Sequence, residues 1–291
     1  MKLEYVVNKL TKYNTVKQVL KEEFLLSDRL IIKLKQAKQI YLNDNSTFIN
    51  QKLEIGDKII VDLDFEETCD NIVPAKINLD ILYEDDGLLI INKPPFLPVH
   101  PSMDHYNDSL SNGVKYYFDS IGLHRKIRPV NRLDKNTSGI VIFAKNEYIQ
   151  ECLVKQMKSN IFKKEYTAIV EGIIDEKEEI IDAPIARKEN SIIERCVNSN
   201  GDNAITVINS IKTYTGYSLV KCILKTGRIH QIRVHTSYIG HPIVGDDLYG
   251  NKSDKINRQA LHASKIKFIH PITKKEIKIE AKIPKDIENL L

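Results

Sequence analysis

From Leu79 to its end the chain reads as a series of short strand-like segments without regular alternation of strands and helices, and this order constrains the fold most. Ile81-Leu82-Tyr83 and Leu88-Leu89-Ile90-Ile91 flank Glu84-Asp85-Asp86-Gly87, a turn sequence that predicts a hairpin. Ile140–Ala144, Ala204–Ile211, Leu219–Leu224 and Glu276–Ile283 are further strand-like pieces. Asn146 to Asn160 reads as an amphipathic helix, with Ile149, Leu153 and Met157 four residues apart. The pattern predicts an α+β domain built on a mixed, largely antiparallel sheet.

The region before it has a different texture. Thr15-Val16-Lys17-Gln18 fits a capping box, and Val16, Val19, Leu20 and Phe24 recur at helical spacing. Ser27 can cap a second helix whose apolar side is Leu30, Ile31, Leu34 and Ala37, with Arg29, Lys33, Lys35 and Lys38 mostly turned away from it. Strands are expected at Ile40-Tyr41-Leu42 and Lys58-Ile59-Ile60-Val61, the second after the turn Gly56-Asp57. Two helices, a basic face and a small hairpin ending in GDKIIV resemble the α-L RNA-binding module. Gln39-Ile40 stands where that module usually has a glycine before the hairpin strand. The resemblance implies a small RNA-binding module over residues 1–66. Residues 62–77 are acidic and end near Pro74, as a linker would. The expected organisation is that module, a linker over 67–78 and a larger domain over 79–291.

Composition excludes some classes of function. With 42% hydrophobic and 28% charged residues, the chain can bury an ordinary core. Its net charge of +4 is too mild to identify a nucleic-acid binder. No apolar run approaches the roughly 20 residues needed to cross a bilayer. MKLEYVVNKL meets a glutamate at position four and lacks a signal-peptide core, so the expectation is a cytoplasmic monomer with no membrane partner. Cys69, Cys152, Cys196 and Cys222 are scattered and read as free thiols in a reducing compartment; no metal or cofactor is expected.

The chemistry centres on Asp134. In RPVNRLDKNTSGIVIFAK it follows Arg132-Leu133 and precedes the polar run Lys135–Gly139. By itself DKNTSG is good turn chemistry, and a structural aspartate would be the simpler reading. Three other stretches reverse that. Asn92-Lys93-Pro94-Pro95-Phe96 opens a proline-laden loop after a strand, and Lys163-Lys164-Glu165-Tyr166 opens a strand ending at Gly172. Thr226-Gly227-Arg228-Ile229-His230-Gln231-Ile232-Arg233-Val234-His235 leads to GHPIVGDDLYG. RLDxxTSG, KxYxAxVxG and TGRxHQIRxH before GHPIxGDxxYG, in this order, resemble the RluA/RluD family of RNA pseudouridine synthases, over the span from about Leu79 to the end. Two positions depart from the family pattern: Asn131 replaces a frequent histidine, and Phe96 replaces a usual glycine.

The resemblance implies a pseudouridine synthase fold and an isomerisation. A uridine within RNA has its base detached from the ribose, turned and rejoined through carbon five, without redox change or net hydrolysis. It implies Asp134 as the indispensable carboxylate, nucleophile or base, Arg233 as its ionic partner and Tyr166 as the aromatic against the target base. A carboxylate can do this work without a metal, and a nearby guanidinium favours its ionised form when partly buried. Arg132 matches the residue that fills the gap left by an extruded nucleotide. Arg228, His230, Gln231 and Lys93, from the same motifs, are expected to contact RNA.

Charge supplies a separate argument. From Asn203 to Gly245 there is no Asp or Glu, while Lys212, Lys221, Lys225, Arg228 and Arg233 are present; Lys155, Lys158, Lys163 and Lys164 form a second cluster. On one face these would attract phosphates. Ribosomal RNA of the large subunit is favoured as target, with tRNA as the alternative. A non-catalytic RNA-binding assembly factor is the rival class, opposed by the intact Asp134, Tyr166 and Arg233.

Overall fold

The computed structural model of the chain describes residues 1–174 and 178–291. The N-terminal part is a small antiparallel sheet of β1 (Lys2–Val6), β2 (Ile40–Leu42), β3 (Asn45–Ser46) and β4 (Lys58–Asp62), in the order β1-β4-β2-β3. Between its first two strands lie α1 (Val16–Gln18), which runs on into a π-helical stretch, Val19–Glu23, and α2 (Asp28–Gln36). The caps form as the sequence predicts. Gln18 Oε1 accepts the Thr15 backbone N–H at 3.1 Å, and Ser27 Oγ accepts that of Leu30 at 3.1 Å.

The remainder adds β5 (Ile81–Glu84), β6 (Leu88–Lys93), α3 (Leu110–Ser120), β7 (Ser138–Ala144), α4 (Glu147–Lys158), β8 (Lys163–Glu171) and β9 (Glu179–Asp182). A separate hairpin of β10 (Ile185–Arg187) and β11 (Arg195–Val197) follows. The chain then forms β12 (Ile205–Tyr214), β13 (Tyr217–Leu224), α5 (Gln231–Tyr238), β14 (Leu261–Ile269), β15 (Glu276–Glu280) and α6 (Lys285–Glu288). Among the described residues nine strands join in one sheet, β5-β6-β7-β14-β8-β13-β12-β9, with β15 on β14. The pairings are antiparallel except that of β7 with β14. At that crossing Gly139 has φ +114°, and a Cβ there would stand 2.4 Å from the Ala263 carbonyl oxygen, so only glycine fits. The sheet is mixed and largely antiparallel, as the strand pattern predicts.

Alternation along the strands divides the interior in two. Leu89, Ile91, Val141 and Phe143 join a front core with Val114 and Phe118 of α3 and Ile232 of α5. Leu88, Ile90, Ile140 and Ile142 join a back core with Ile149 and Leu153 of α4. Leu3, Val19, Leu20, Leu30 and Leu34 of the N-terminal sheet and helices belong to that same back cluster. Polar contacts stitch the seam. Ser27 Oγ donates to Glu151 at 2.6 Å, Lys155 donates to the Leu25 carbonyl at 2.6 Å, and Lys33 pairs with Glu147. The acidic segment after β4 is anchored as well, since Glu67 takes a two-pronged contact from Arg128 and Cys69 and Ile72 sink into the front core.

Candidate active site

Residues 131–137 cross the front of the sheet just before β7, and buried polar groups hold them there. Asn131 Nδ2 donates to the Ile140 carbonyl at 2.9 Å and its Oδ1 accepts the Ile142 N–H at 2.9 Å, tying the loop to the strand it enters. Thr137 N–H donates to the Asp134 carbonyl at 3.1 Å, closing the turn, and Gln259 Nε2 reaches Thr137 Oγ1 at 3.1 Å. Two buried cations hold the loop's other carbonyls: Lys93 donates to Lys135 O at 3.0 Å, and Arg258 to Asn136 O at 3.2 Å. Arg258 is kept in place by a paired contact with Asp286 at 2.7 and 2.9 Å.

The loop presents the Asp134 side chain, one quarter exposed, to α5. Arg233 NH1 lies 3.3 Å from Asp134 Oδ2. The other two nitrogens of that guanidinium, Nε and NH2, bind the two oxygens of Asp246 at 2.7 Å each. Asp246 is fully buried and also accepts the Leu248 and Tyr249 N–H groups at 3.1 and 3.2 Å. Burial works against the Arg233 charge, but Asp246 and then Asp134 outweigh it and hold its pKa above the usual value. A bidentate partner fixes the plane of the guanidinium, so its third nitrogen is aimed rather than free. The Tyr249 ring backs it, with the Arg233 carbon 5.0 Å from the ring centre.

His230 takes a left-handed backbone, φ +57°, immediately before α5, a conformation uncommon for a residue with a side chain. Its Nδ1 is 2.8 Å from Tyr249 Oη and its Nε2 is 3.8 Å from Asp134 Oδ1. Tyr166, on β8, is 6% exposed, and burial with Asp134 beside it pushes its hydroxyl above the ordinary range. Leu133, Leu224 and Leu261 complete a cleft around these groups. A cleft in which apolar side chains meet convergent polar and charged groups suits a flat, polar ligand such as a nucleoside base.

Seven of the eight residues singled out from the sequence line this cleft: Asp134, Tyr166, Arg233, Arg132, Arg228, His230 and Gln231. Arg132 is exposed at its mouth and makes no hydrogen bond or ion pair among the described residues. Arg228 is exposed, its Nε donating to Asn203 O at 2.9 Å. Two expectations need correction. Lys93 is not an RNA contact: it is fully buried at the end of β6, and its ammonium serves the Pro94, Leu97 and Lys135 carbonyls. Burial, reinforced by Arg258, pulls its pKa down to about 7. Gln231, 2% exposed, donates to Ile205 O and Thr206 Oγ1 and accepts from Thr226 Oγ1 and the Arg228 N–H, which uses its bonding capacity within the protein. The acid-free stretch does not present one basic face either. Arg233 is buried on Asp246 and Lys212 lies over the Tyr214 ring. Of the second cluster, Lys164 lines the wider cleft beside Tyr166, and Lys155 faces the N-terminal helices. Phe96, at the usual glycine position, has φ +65° and is half exposed, which explains why glycine is favoured there.

Comparisons with known proteins identify the family. A family profile described as RNA pseudouridylate synthase matches residues 87–238, a span from the β5–β6 turn through α5 that includes Asp134, Tyr166 and Arg233. The RNA pseudouridine synthase YhcT of Bacillus subtilis (strain 168) is 38% identical over 290 residues, 99% of this chain and 96% of its own. Ribosomal large subunit pseudouridine synthase D of Blochmanniella floridana is 33% identical over 310 residues, 100% of this chain and 93% of its own. The chain belongs to the RNA pseudouridylate synthase family. It is an isomerase acting on RNA, of the RluA/RluD type. The solved structure of human RNA pseudouridylate synthase domain containing 1 superposes with a TM-score of 0.58 at 27% identity, covering 72% of this chain and 84% of that one. Among the described residues no group of three or more His, Cys, Asp or Glu side chains is arranged to hold a metal ion.

Reading the sequence missed Asp246 and Tyr249, although both stand in GHPIVGDDLYG. Their part depends on the loop after α5 folding back under Arg233, a tertiary event that no local pattern encodes. Arg258 and Asp286 went unread for the same reason.

Proposed function

We propose that this family member isomerises uridine in large-subunit ribosomal RNA, with Asp134 as the catalytic carboxylate, Arg233 as its ionic partner and Tyr166 against the target base. The observation that carries the reading is the chain Asp246–Arg233–Asp134: a buried carboxylate orients a buried guanidinium whose remaining nitrogen faces the carboxylate that opens onto the cleft. That carboxylate is the group placed for nucleophilic or basic work on the sugar. In the reaction the bond between N1 of uracil and C1′ of ribose breaks and one between C5 and C1′ forms. The proton leaves C5 and N1 gains one. Arg132, exposed at the mouth and unpaired, suits the space left by a nucleotide that leaves its stack.

The ribosomal target is supported by the relatives named large-subunit synthases, which match along most of the chain. We further propose that residues 1–66 act as an α-L type RNA-binding unit, with 67–78 as the connection to the catalytic domain over 79–291. A groove lined by Arg29, Lys33, Lys126, Arg128 and Glu147 supports this, since it shares His100 and Pro129 with the catalytic cleft. RNA held at α2 would thus lie on a path into the site.

Asp134→Asn tests the chemistry. The amide keeps size and part of the hydrogen bonding but is neither a useful nucleophile nor a base, so tritium release from uridine labelled at carbon five should fall to background. RNA affinity should hold or rise, since one anion leaves the site. Stability should change by about 1 kcal/mol or less, because Asp134 is not part of the core. Substantial tritium release would return Asp134 to the status of a turn residue.

A further inference from the structure

We propose that His230 is a positioning residue for Asp134: Tyr249 fixes the imidazole as the tautomer carrying its proton on Nε2, and that N–H faces Asp134 Oδ1, the oxygen that Arg233 leaves free. The proposal rests on Asp134 being the reacting carboxylate.

Hydrogen-bond accounting around Tyr249 gives the tautomer. Its hydroxyl oxygen accepts the Arg195 backbone N–H at 2.8 Å and lies 2.8 Å from His230 Nδ1. A hydroxyl has one hydrogen to give. Arg195 N is a donor and cannot take it; the arrangement that gives this hydrogen an acceptor sends it to an unprotonated Nδ1. The proton of a neutral imidazole then sits on Nε2. The partner on that side is Asp134 Oδ1 at 3.8 Å, beyond hydrogen-bond distance but near enough for the N–H dipole of a neutral ring to point at the carboxylate. Arg233 addresses Oδ2. The two carboxylate oxygens thus have different partners on opposite flanks, and Asp134 has one orientation that satisfies both.

The surroundings keep the ring neutral. His230 faces Asp134, Arg233, Arg195, Asp246 and Tyr249, and burial lowers its pKa against the opposing pull of Asp134. The left-handed backbone of His230 is a further sign that the position serves more than packing. Its ring stands edge-on to Tyr249 at 5.6 Å between centroids, a contact that resists rotation about the side chain.

Two variants separate the donor from the fold. His230→Asn tolerates the left-handed backbone but is too short to place a donor where Nε2 lies; kcat should fall about tenfold or more, the usual scale for losing an orienting partner, with KM for RNA within about threefold. His230→Gln, whose amide nitrogen reaches the Nε2 position, should recover most of that loss. Equal activity of the two, or a wild-type level for Asn, overturns the proposal. An independent reading comes from two-bond proton–nitrogen correlation of histidine-labelled protein, with the His230 signals identified by their loss in the Gln variant. Wild type should show the Nε2–H pattern, and Tyr249→Phe a mixture or the opposite tautomer. An Nδ1–H pattern in wild type also overturns the proposal. The tautomer is set by Tyr249, so the spectrum is unaffected if Asp134→Asn proves active. That outcome defeats the reading of Asp134 while leaving the tautomer measured.

Discussion

The front and back faces of the nine-stranded sheet are both buried, by different means. On the back, Leu88, Ile90, Ile140 and Ile142 meet α4 and the N-terminal helices in an apolar layer whose ion pairs, such as Lys33 with Glu147, sit at the seam. On the front, buried charges lie inside the layer: Arg233 on Asp246, Arg258 on Asp286, and the Lys93 ammonium under the Asp134 loop. Buried ions are a poor route to stability, because their desolvation cost is offset only by near-complete pairing. Their concentration under one seven-residue loop is explained by what they orient. The back face holds the molecule together, and the front face aims a carboxylate.

The largest effect should come from Asp246→Asn. It keeps shape but leaves the Arg233 charge buried with half its pairing gone, and breaking such a pair costs about 3–5 kcal/mol. Turnover should be lost at the same time, since the third nitrogen of Arg233 loses its aim. On the back face, Ile142→Val removes one methyl group from a fully buried residue and should cost about 0.5–1.5 kcal/mol with turnover intact. Denaturation midpoints and tritium release on both proteins check the contrast. An Asp246→Asn protein as stable as Ile142→Val would remove the distinction between the faces.

A middle-sized effect should appear with acid. His262 is 1% exposed, its Nδ1 2.9 Å from Ser138 Oγ and its Nε2 3.4 Å from the Ala281 carbonyl of the back-face cluster. Burial lowers its pKa from 6.5 to about 4. Between those values the unfolded chain binds a proton at His262 that the folded chain refuses, so the contribution of this group to stability rises with pH across the window and is flat outside it. The folded state should therefore lose up to about 3 kcal/mol as pH falls from 6.5 to 4, since each tenfold difference in proton affinity between the two states is worth about 1.4 kcal/mol. His262→Gln should lose less over the same window. Chemical denaturation of both proteins at pH 7, 5.5 and 4 measures the difference, and parallel pH dependence would show that the back face buries no titrating imbalance here.

The two faces also differ in how legible they were. The back face follows from local rules: Asn146 caps α4 where the 146–160 pattern begins, and the hairpin around Asp85 forms because that carboxylate accepts the Gly87 and Leu88 N–H groups. Two elements escaped, β1 on the back and α3 on the front. β1 shows a buried Leu3 between exposed neighbours, and α3 has Leu110, Val114 and Phe118 four apart behind a Ser109 cap; both signals were present in the sequence. On the front, motif order pointed to Asp134, Tyr166 and Arg233. It misjudged Lys93 and Gln231, because residue type and spacing do not say whether a polar group opens to the cleft or closes under it. Asp246 and Tyr249 matter through contacts with residues 13 and 19 positions away, set by the loop after α5.

The smallest effect bears on the seam where the two faces communicate. Lys126 lines the groove between α2 and the catalytic cleft, is exposed, and makes no ion pair among the described residues. Its neighbours are partly neutralised, Arg128 by Glu67 and Arg29 by Glu147. Lys126 is therefore the groove charge most available to phosphate. If RNA runs from α2 into the cleft, Lys126→Ala removes one phosphate contact: affinity for a long RNA should weaken about threefold, and the slope of log affinity against log salt should flatten by about one. Stability should not move, since an exposed lysine without partners contributes within about 0.5 kcal/mol. A short stem-loop that fills only the cleft should bind both proteins alike, because it does not reach the groove. Binding titrations of the two RNAs at three salt concentrations make the comparison. An unchanged slope with the long RNA would mean that RNA leaves the cleft in another direction and that the N-terminal helices serve the back face alone.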